Sequence, residues 1–148
     1  MAWGCMASNG TGSLVFIDDV TKDRSSRMTY DVYREILSAQ IQPNAEKLTR
    51  LRFTVQIDND PKHTGKATQE FFKAKKWNIL QWPSHSPDLN PIQNAFHLLK
   101  TKPKAERPTN KQQCKTAAVK AWQTITKEET QRLVISMGSR LQAVIACR

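Results

Sequence analysis

The sequence predicts an α/β domain on three observations: an alternating strand at 51–58, a helical stretch directly after it, and a short apolar strand at 77–82. Together they make a strand–helix–strand crossover unit. In LRFTVQID, Leu51, Phe53, Val55 and Ile57 fall on one face, and Arg52, Thr54, Gln56 and Asp58 on the other. Alternate side chains of a strand point to opposite faces, so one face is core and the other is polar. Thr64 is placed to cap a helix running through Lys76, with Ala67, Phe71 and Ala74 as its apolar stripe. Lys62, Lys66, Lys73, Lys75 and Lys76 are left for solvent or phosphate. WNILQW at 77–82 is short, apolar and closed by Pro83, which reads as the second strand.

Upstream, AWGCMAS (2–8) and SLVFID (13–18) are strand-like runs separated by Asn9-Gly10-Thr11-Gly12, a hairpin connection. From Thr29 to Leu48, Val32, Ile36, Leu37, Ile41 and Ala45 recur at helical spacing, and Pro43 is expected to break or kink the end. Downstream, Asn90 as N-cap and Pro91 at the first helical position start another helix, lined by Ile92, Phe96 and Leu99. A charged, proline-broken linker follows Thr101, and residues 110–135 regain helical character through Ala117, Ala118, Ala121, Trp122 and Ile125.

The 148 residues suit one domain, and the formal charge of +10 favours a polyanionic partner over a small ligand. The excess of Lys and Arg over Asp and Glu is nil in residues 1–50, three in 51–100 and seven in 101–148, so basic character grows toward the C-terminus. A solvated basic face explains the charge equally well. Cys5, Cys114 and Cys147 are odd in number and far apart, which argues against a disulfide framework or a zinc finger. With no long apolar run, no membrane is expected as partner, and the nucleus, or alternatively the cytoplasm, is the expected compartment.

The chemistry concentrates at Asp58, on the polar face at a strand end, where open α/β sheets collect functional groups. Taken alone, Asp58 and Asp60 equally form an Asx-type turn that caps the next helix. The segments WGC at 3–5, DNDPKHT at 58–64 and WPSHSPDLNPIQN at 82–94 resemble the catalytic domain of Tc1/mariner transposases, particularly the Tc1 branch. The resemblance runs to about Asn110. It implies an RNase H-like fold and an Asp, Asp, Glu triad that holds two Mg²⁺ ions for DNA cleavage and strand transfer. Asp58 matches the second Asp. The Tc1 spacing of 34 residues places the third ligand at position 93, which here is Gln93.

Paired hard cations need anionic oxygen donors, and a Gln amide compensates charge weakly. Gln93 also sits three residues after Asn90, where its side chain could bond back to the cap's backbone N–H. The family's first Asp lies on a strand before the WGC strand, for which a chain starting at Met1 has no room. Asp18 and Asp19 end the wrong strand of the hairpin. The resemblance therefore implies an incomplete RNase H-like fold lacking its first, central strand, with C-terminal helices. The expected organisation is a partial catalytic domain at 1–102 and a basic linker with a helical segment at 103–148. The 2–18 hairpin would close directly onto residues 51–58 or leave strand edges open to another chain.

It follows that strand transfer and Mg²⁺ binding at Asp58 are expected to be weakened or lost, leaving non-specific DNA binding. The resemblance begins without the family's helix-turn-helix region, so recognition of transposon ends is expected to be lost. Candidate DNA contacts are Lys62, His63, Lys66, Lys100, Lys102, Lys104 and Arg107. His63 could instead cap the next helix, and Asp88 is a turn residue or a substitute ligand. His85 and His97 are structural or exposed. The rival readings are a residual nuclease using Asp58 with Asp60 or Asp88, a protein that binds or inhibits a full-length transposase, a homo-oligomer, and a relic without function.

Overall fold

The computed structural model describes residues 1–49, 53–83, 86–102 and 108–147. Strands β1 (Ala2–Ala7) and β2 (Gly10–Phe16) form the hairpin, with Gly10 at φ 139° at the turn, a conformation open to glycine. The second strand stops at Phe16 rather than at 18. Residues Ile17–Val20 instead make one helical turn, α1, because Ile17 is fully buried and its N–H donates to the Met1 carbonyl at 3.1 Å.

Helix α2 (Tyr30–Thr49) runs through Pro43 without stopping, so of the expected break or kink the break does not occur. Pro43 removes one backbone donor, but Ala45 and Leu48 beyond it are buried, and that packing outweighs the lost bond. The alternating segment pairs over β3 (Thr54–Val55), in parallel with β4 (Asn78–Ile79), with Thr54 opposite Asn78 and Val55 opposite Ile79. Phe53, Val55 and Ile57 face the core as the alternation predicts; Leu51 and Arg52 lie outside the described residues.

The crossover differs in detail. Helix α3 (Pro61–Thr64) comes first, Gly65 is the N-cap of α4 (Lys66–Lys75), and Thr64 does not cap it. The buried face of α4 is Thr68 and Phe72, with Phe71 half-buried, while Ala67 and Ala74 are exposed. Phe71 and Phe72 are both large enough to reach Trp77, at ring distances of 5.6 and 6.3 Å, and they rotate the helix accordingly. Lys76 ends α4 at φ 55°, its N–H donating to the Lys73 carbonyl and that of Trp77 to Phe72.

A single 3₁₀ turn at Pro87–Leu89 leads into α5 (Pro91–Thr101), followed by α6 (Lys111–Gln123) and α7 (Lys127–Ala146). The last begins with a reciprocal cap, Thr126 accepting from the Glu129 N–H while Glu129 accepts from the Thr126 N–H. Among the described residues the strands form two separate two-stranded sheets, so the hairpin does not pair with β3.

The chain divides into two compact units. Residues 1–3 and 15–86 make the first, and 4–14 and 87–148 the second. The first is built on Tyr33, Leu37, Ile41 and Phe72. The second is built on Ala95, Trp122 and Ile125, with Met6, Leu14 and Phe96 packed against them. Residues 87–102, which the sequence groups with the catalytic part, thus pack with α6 and α7. A Cβ on Gly4 would stand 3.2 Å from Phe96 and 3.3 Å from Trp122, so a side chain there would require those rings to give by a few tenths of an ångström.

Candidate functional site

Asp58 ends the extended run that follows β3, with its side chain about half exposed. Its Oδ1 accepts the Asp60 backbone N–H at 3.2 Å, the Asx turn expected from the sequence. Asp60 then caps α3, accepting the Lys62 backbone N–H at 2.8 Å and pairing with the Lys62 ammonium at 2.9 Å. Partial burial works to raise the Asp60 carboxyl, but the Lys62 hydrogen bonds, with the charges of Lys62 and His63, hold it below the ordinary carboxylate range.

The tight turn brings His63 back onto Asp58. Its Nδ1 lies 2.7 Å from Asp58 Oδ1 and 3.0 Å from the Asp58 carbonyl oxygen. Both partners are acceptors when the carboxylate is ionised, so Nδ1 carries the proton and donates. The ring neither caps α4 nor points away from the site; it stacks against Tyr33 with centroids 4.5 Å apart. The backbone of this segment is pinned from α4, where Thr68 Oγ1 donates to the Lys62 carbonyl at 2.8 Å and Gln69 Nε2 to that of His63 at 2.7 Å. Asn59 Nδ2 reaches the Trp82 carbonyl at 2.8 Å, tying the turn to the chain just after the second strand.

Sequence reasoning missed Tyr33. It falls within the expected helix but outside its apolar series, 25 residues before Asp58, and no local pattern ties it to the site. In the fold it is 2 % exposed and forms the floor under His63. Burial, reinforced by the negative charges of Asp58 and Asp60, pushes its hydroxyl well above the usual tyrosine range, so it stays protonated.

Gln93, in the second unit, is exposed on the first turn of α5. It does not bond back to the cap, because the Asn90 N–H already donates to the Pro87 carbonyl at 3.0 Å across the 3₁₀ turn. Asp88 lies exposed in that turn, its carbonyl accepting from Arg140 at 2.9 Å. Lys66 and Lys100 are exposed. Lys102 donates to the Thr124 carbonyl at 2.7 Å and to Glu129 at 2.9 Å, clasping the α6–α7 junction. His97 is exposed, and His85, Lys104 and Arg107 lie outside the described residues.

Glu129 is held below its ordinary range by the Thr126 N–H and then by Lys102. A depressed carboxylate stabilises the fold above its unfolded value of about 4 and ceases to do so as pH falls through its lower folded value. The urea midpoint is therefore expected to decline below about pH 4, and Glu129→Gln to flatten part of that decline. An unchanged profile in the variant would remove Glu129 from the account.

Among the described residues, no group of three or more His, Cys, Asp or Glu side chains is arranged to hold a metal ion. Two divalent cations demand crowded anionic oxygens. One Asp58 carboxylate engaged by an N–H donor, and a neutral Gln93 amide, do not fit that demand.

With this geometry in view, the comparisons with known proteins are specific. Residues 3–115 match the family model described as DDE superfamily endonuclease. The chain is 37 % identical over 145 residues to the Tcb1 transposase of Caenorhabditis briggsae, covering 98 % of this chain and 50 % of that protein. It is 34 % identical to the Tc1 transposase of Caenorhabditis elegans over the same length and shares. The chain thus spans about half the length of these relatives. Among solved structures, a Mos1 transposase catalytic domain with Mn superposes at TM-score 0.71, with 17 % identity, 99 % of this chain and 74 % of that chain covered. A Mos1 mariner paired-end complex with Mn gives 0.76 at 17 % identity, covering 95 % of this chain and 41 % of that one. The fold is RNase H-like, and the chain belongs to the DDE superfamily endonuclease family, alongside the Tc1-type transposases.

Proposed function

We propose that this chain is a Tc1-type transposase relative that binds DNA without sequence preference and does not carry out strand transfer. The observation that carries the reading is the state of Asp58: its carboxylate is tied to His63 Nδ1 at 2.7 Å, and the position reached after 34 intervening residues offers a neutral, exposed Gln93. The relatives are transposases, and the Mos1 structures include a complex with a left transposon end and forms with Mn and Mg. On this reading residues 1–102 descend from the catalytic part and 103–148 add a basic, helical extension. DNA contacts come from the exposed Lys66 and Lys100 with Lys104 and Arg107 of the basic run, and the compartment is the nucleus.

Counterion release sets the expected salt response. With about four phosphate contacts, affinity for a mixed-sequence duplex should fall roughly 100-fold between 50 and 200 mM salt. Fluorescence anisotropy on two unrelated duplexes measures this; salt-independent binding, or a strong preference for one duplex, would sink the binding half of the proposal. Plasmid incubated with the chain and Mg²⁺ or Mn²⁺ should remain intact. Nicking that disappears in Asp58→Ala would overturn the inactive half and favour the residual nuclease.

A further inference from the structure

The second unit gathers unused hydrogen-bond donors at the N-terminus of α5. The leading N–H groups of a helix have no carbonyl within it to donate to. Pro91 fills the first position, the first turn holds no acidic side chain, and the Ile92 N–H has no acceptor among the described residues. Asn90, the N-cap, leaves the helix uncapped, since its side chain accepts no N–H from it. The residue is only 7 % exposed, and among the described residues its side-chain amide has no partner. Its backbone is fully used, the N–H by Pro87 at 3.0 Å and the carbonyl by Gln93 at 3.1 Å and Asn94 at 3.5 Å. As the cap residue it carries the unpaired amide at the open end of the helix. A polar side chain so buried and so placed points to a group from outside the chain.

Two further side chains meet that end. Gln93 adds an exposed amide that has no partner among the described residues. Arg140, half-buried on α7, donates one N–H to the Asp88 carbonyl at 2.9 Å, two residues before the cap. The rest of its planar fork of donors stays available, and it pairs with no carboxylate among the described residues. The one opposing charge in this turn is Asp88, exposed and not paired with Arg140.

We propose that the N-terminus of α5 is a metal-independent site for a phosphate oxyanion, held by the Ile92 N–H, the Asn90 and Gln93 amides and the Arg140 guanidinium. The helix end and the arginine both favour negative charge, the reverse of what a cation site requires. A carboxylate at position 93 would repel the anion, whereas neutral Gln93 can donate to it. Phosphate fits better than carboxylate, because its oxygens surround one centre and accept from several directions, and the guanidinium fork matches a pair of them. The source of the phosphate, a duplex backbone, rests on the DNA-binding reading above; the site itself does not.

The test has two arms, both with a chelator present. In the first, inorganic phosphate is titrated into the full chain against chloride at equal ionic strength, followed by ¹⁵N-resolved nuclear magnetic resonance. The Ile92 N–H, the Asn90 and Gln93 side-chain amides and the Arg140 Nε–H should shift together and saturate, with a dissociation constant on the order of millimolar. Gln93→Glu should abolish the saturable response while melting no lower than the parent, since an acid in the first turn of a helix is favourable. Arg140→Gln should weaken it at least tenfold. In the second arm, Gln93→Glu should lower affinity for a mixed-sequence duplex roughly tenfold at 50 mM salt, and Arg140→Gln should reduce the salt slope by about one. No saturable shift up to about 100 mM phosphate, or an equal response in Gln93→Glu, would overturn the site even if the duplex binds. Phosphate binding without duplex binding would sustain the site and remove the DNA reading. Duplex affinity unchanged in Gln93→Glu would overturn the backbone as the source.

Discussion

Trp122→Ala is expected to destabilise the protein by about 3–5 kcal/mol, the range for deleting a large aromatic from a packed core. Trp122 is 1 % exposed, stacks on Phe96 with centroids 5.3 Å apart, and donates its indole N–H to the Gly12 carbonyl at 2.9 Å. The alanine therefore leaves a cavity beside Gly4 and removes the bond to the half-buried Gly12 carbonyl. Against a total stability of roughly 5–15 kcal/mol, this brings the second unit close to its limit. Urea unfolding followed by far-ultraviolet circular dichroism measures it. Trp122→Phe, keeping most of the volume but not the donor, should lose less than half as much. A shift below about 1 kcal/mol for the alanine variant would mean that the α6 packing has been misread.

Tyr33→Ala is expected to cost the first unit a similar amount, about 3–5 kcal/mol, for the same reason of buried aromatic volume. Tyr33 sits in the cluster with Leu37, Ile41 and Phe72, and its ring stacks on that of His63. Tyr33→Phe keeps the ring and the stack, so it should stay within about 1 kcal/mol of the parent. The His63 ring resonances in a nuclear magnetic resonance spectrum provide a readout that bulk stability does not. They should move markedly in the alanine variant, under conditions where it remains folded, and little in the phenylalanine variant. Equal shifts in both would show that the phenol oxygen, rather than the ring, sets the position of His63.

The central crossover is legible in the sequence because its signals are local. Alternation at 51–58, a proline-bounded apolar run at 77–82 and the asparagine–proline start at 90–91 each depend on near neighbours alone. The features that local patterns miss share the opposite property. The local chemistry of Pro43 predicts a break or kink, whereas the burial of Ala45 and Leu48 beyond it keeps the helix continuous. Spacing alone picks the wrong face of α4, because it weighs small alanines equally with Phe72, although volume determines which side turns inward. At the site, the segment DNDPKHT points to Asp58, and adjacent residues suffice for its Asx turn. Its pairing with His63 and the floor supplied by Tyr33 leave no such mark, since the first depends on how sharply α3 turns and the second on how α2 packs. The hydrogen bond that the cap pattern assigns to Gln93 is made by Pro87 instead, because a 3₁₀ turn before a helix is invisible in that pattern.

The order in which the chain is made matters for the hairpin. Residues 4–14 belong with 87–148, and their partners lie far along the sequence: Thr11 bonds to the Trp122 carbonyl, and Thr130 to that of Ser8. At about 5–20 residues per second of synthesis, the hairpin tip waits on the order of ten seconds for α6 to emerge. For that interval Met6 and Leu14 have none of their final cover from Trp122. The nascent protein is thus vulnerable to aggregation and to chaperone capture over that interval, at a segment that is packed once the last helices have arrived.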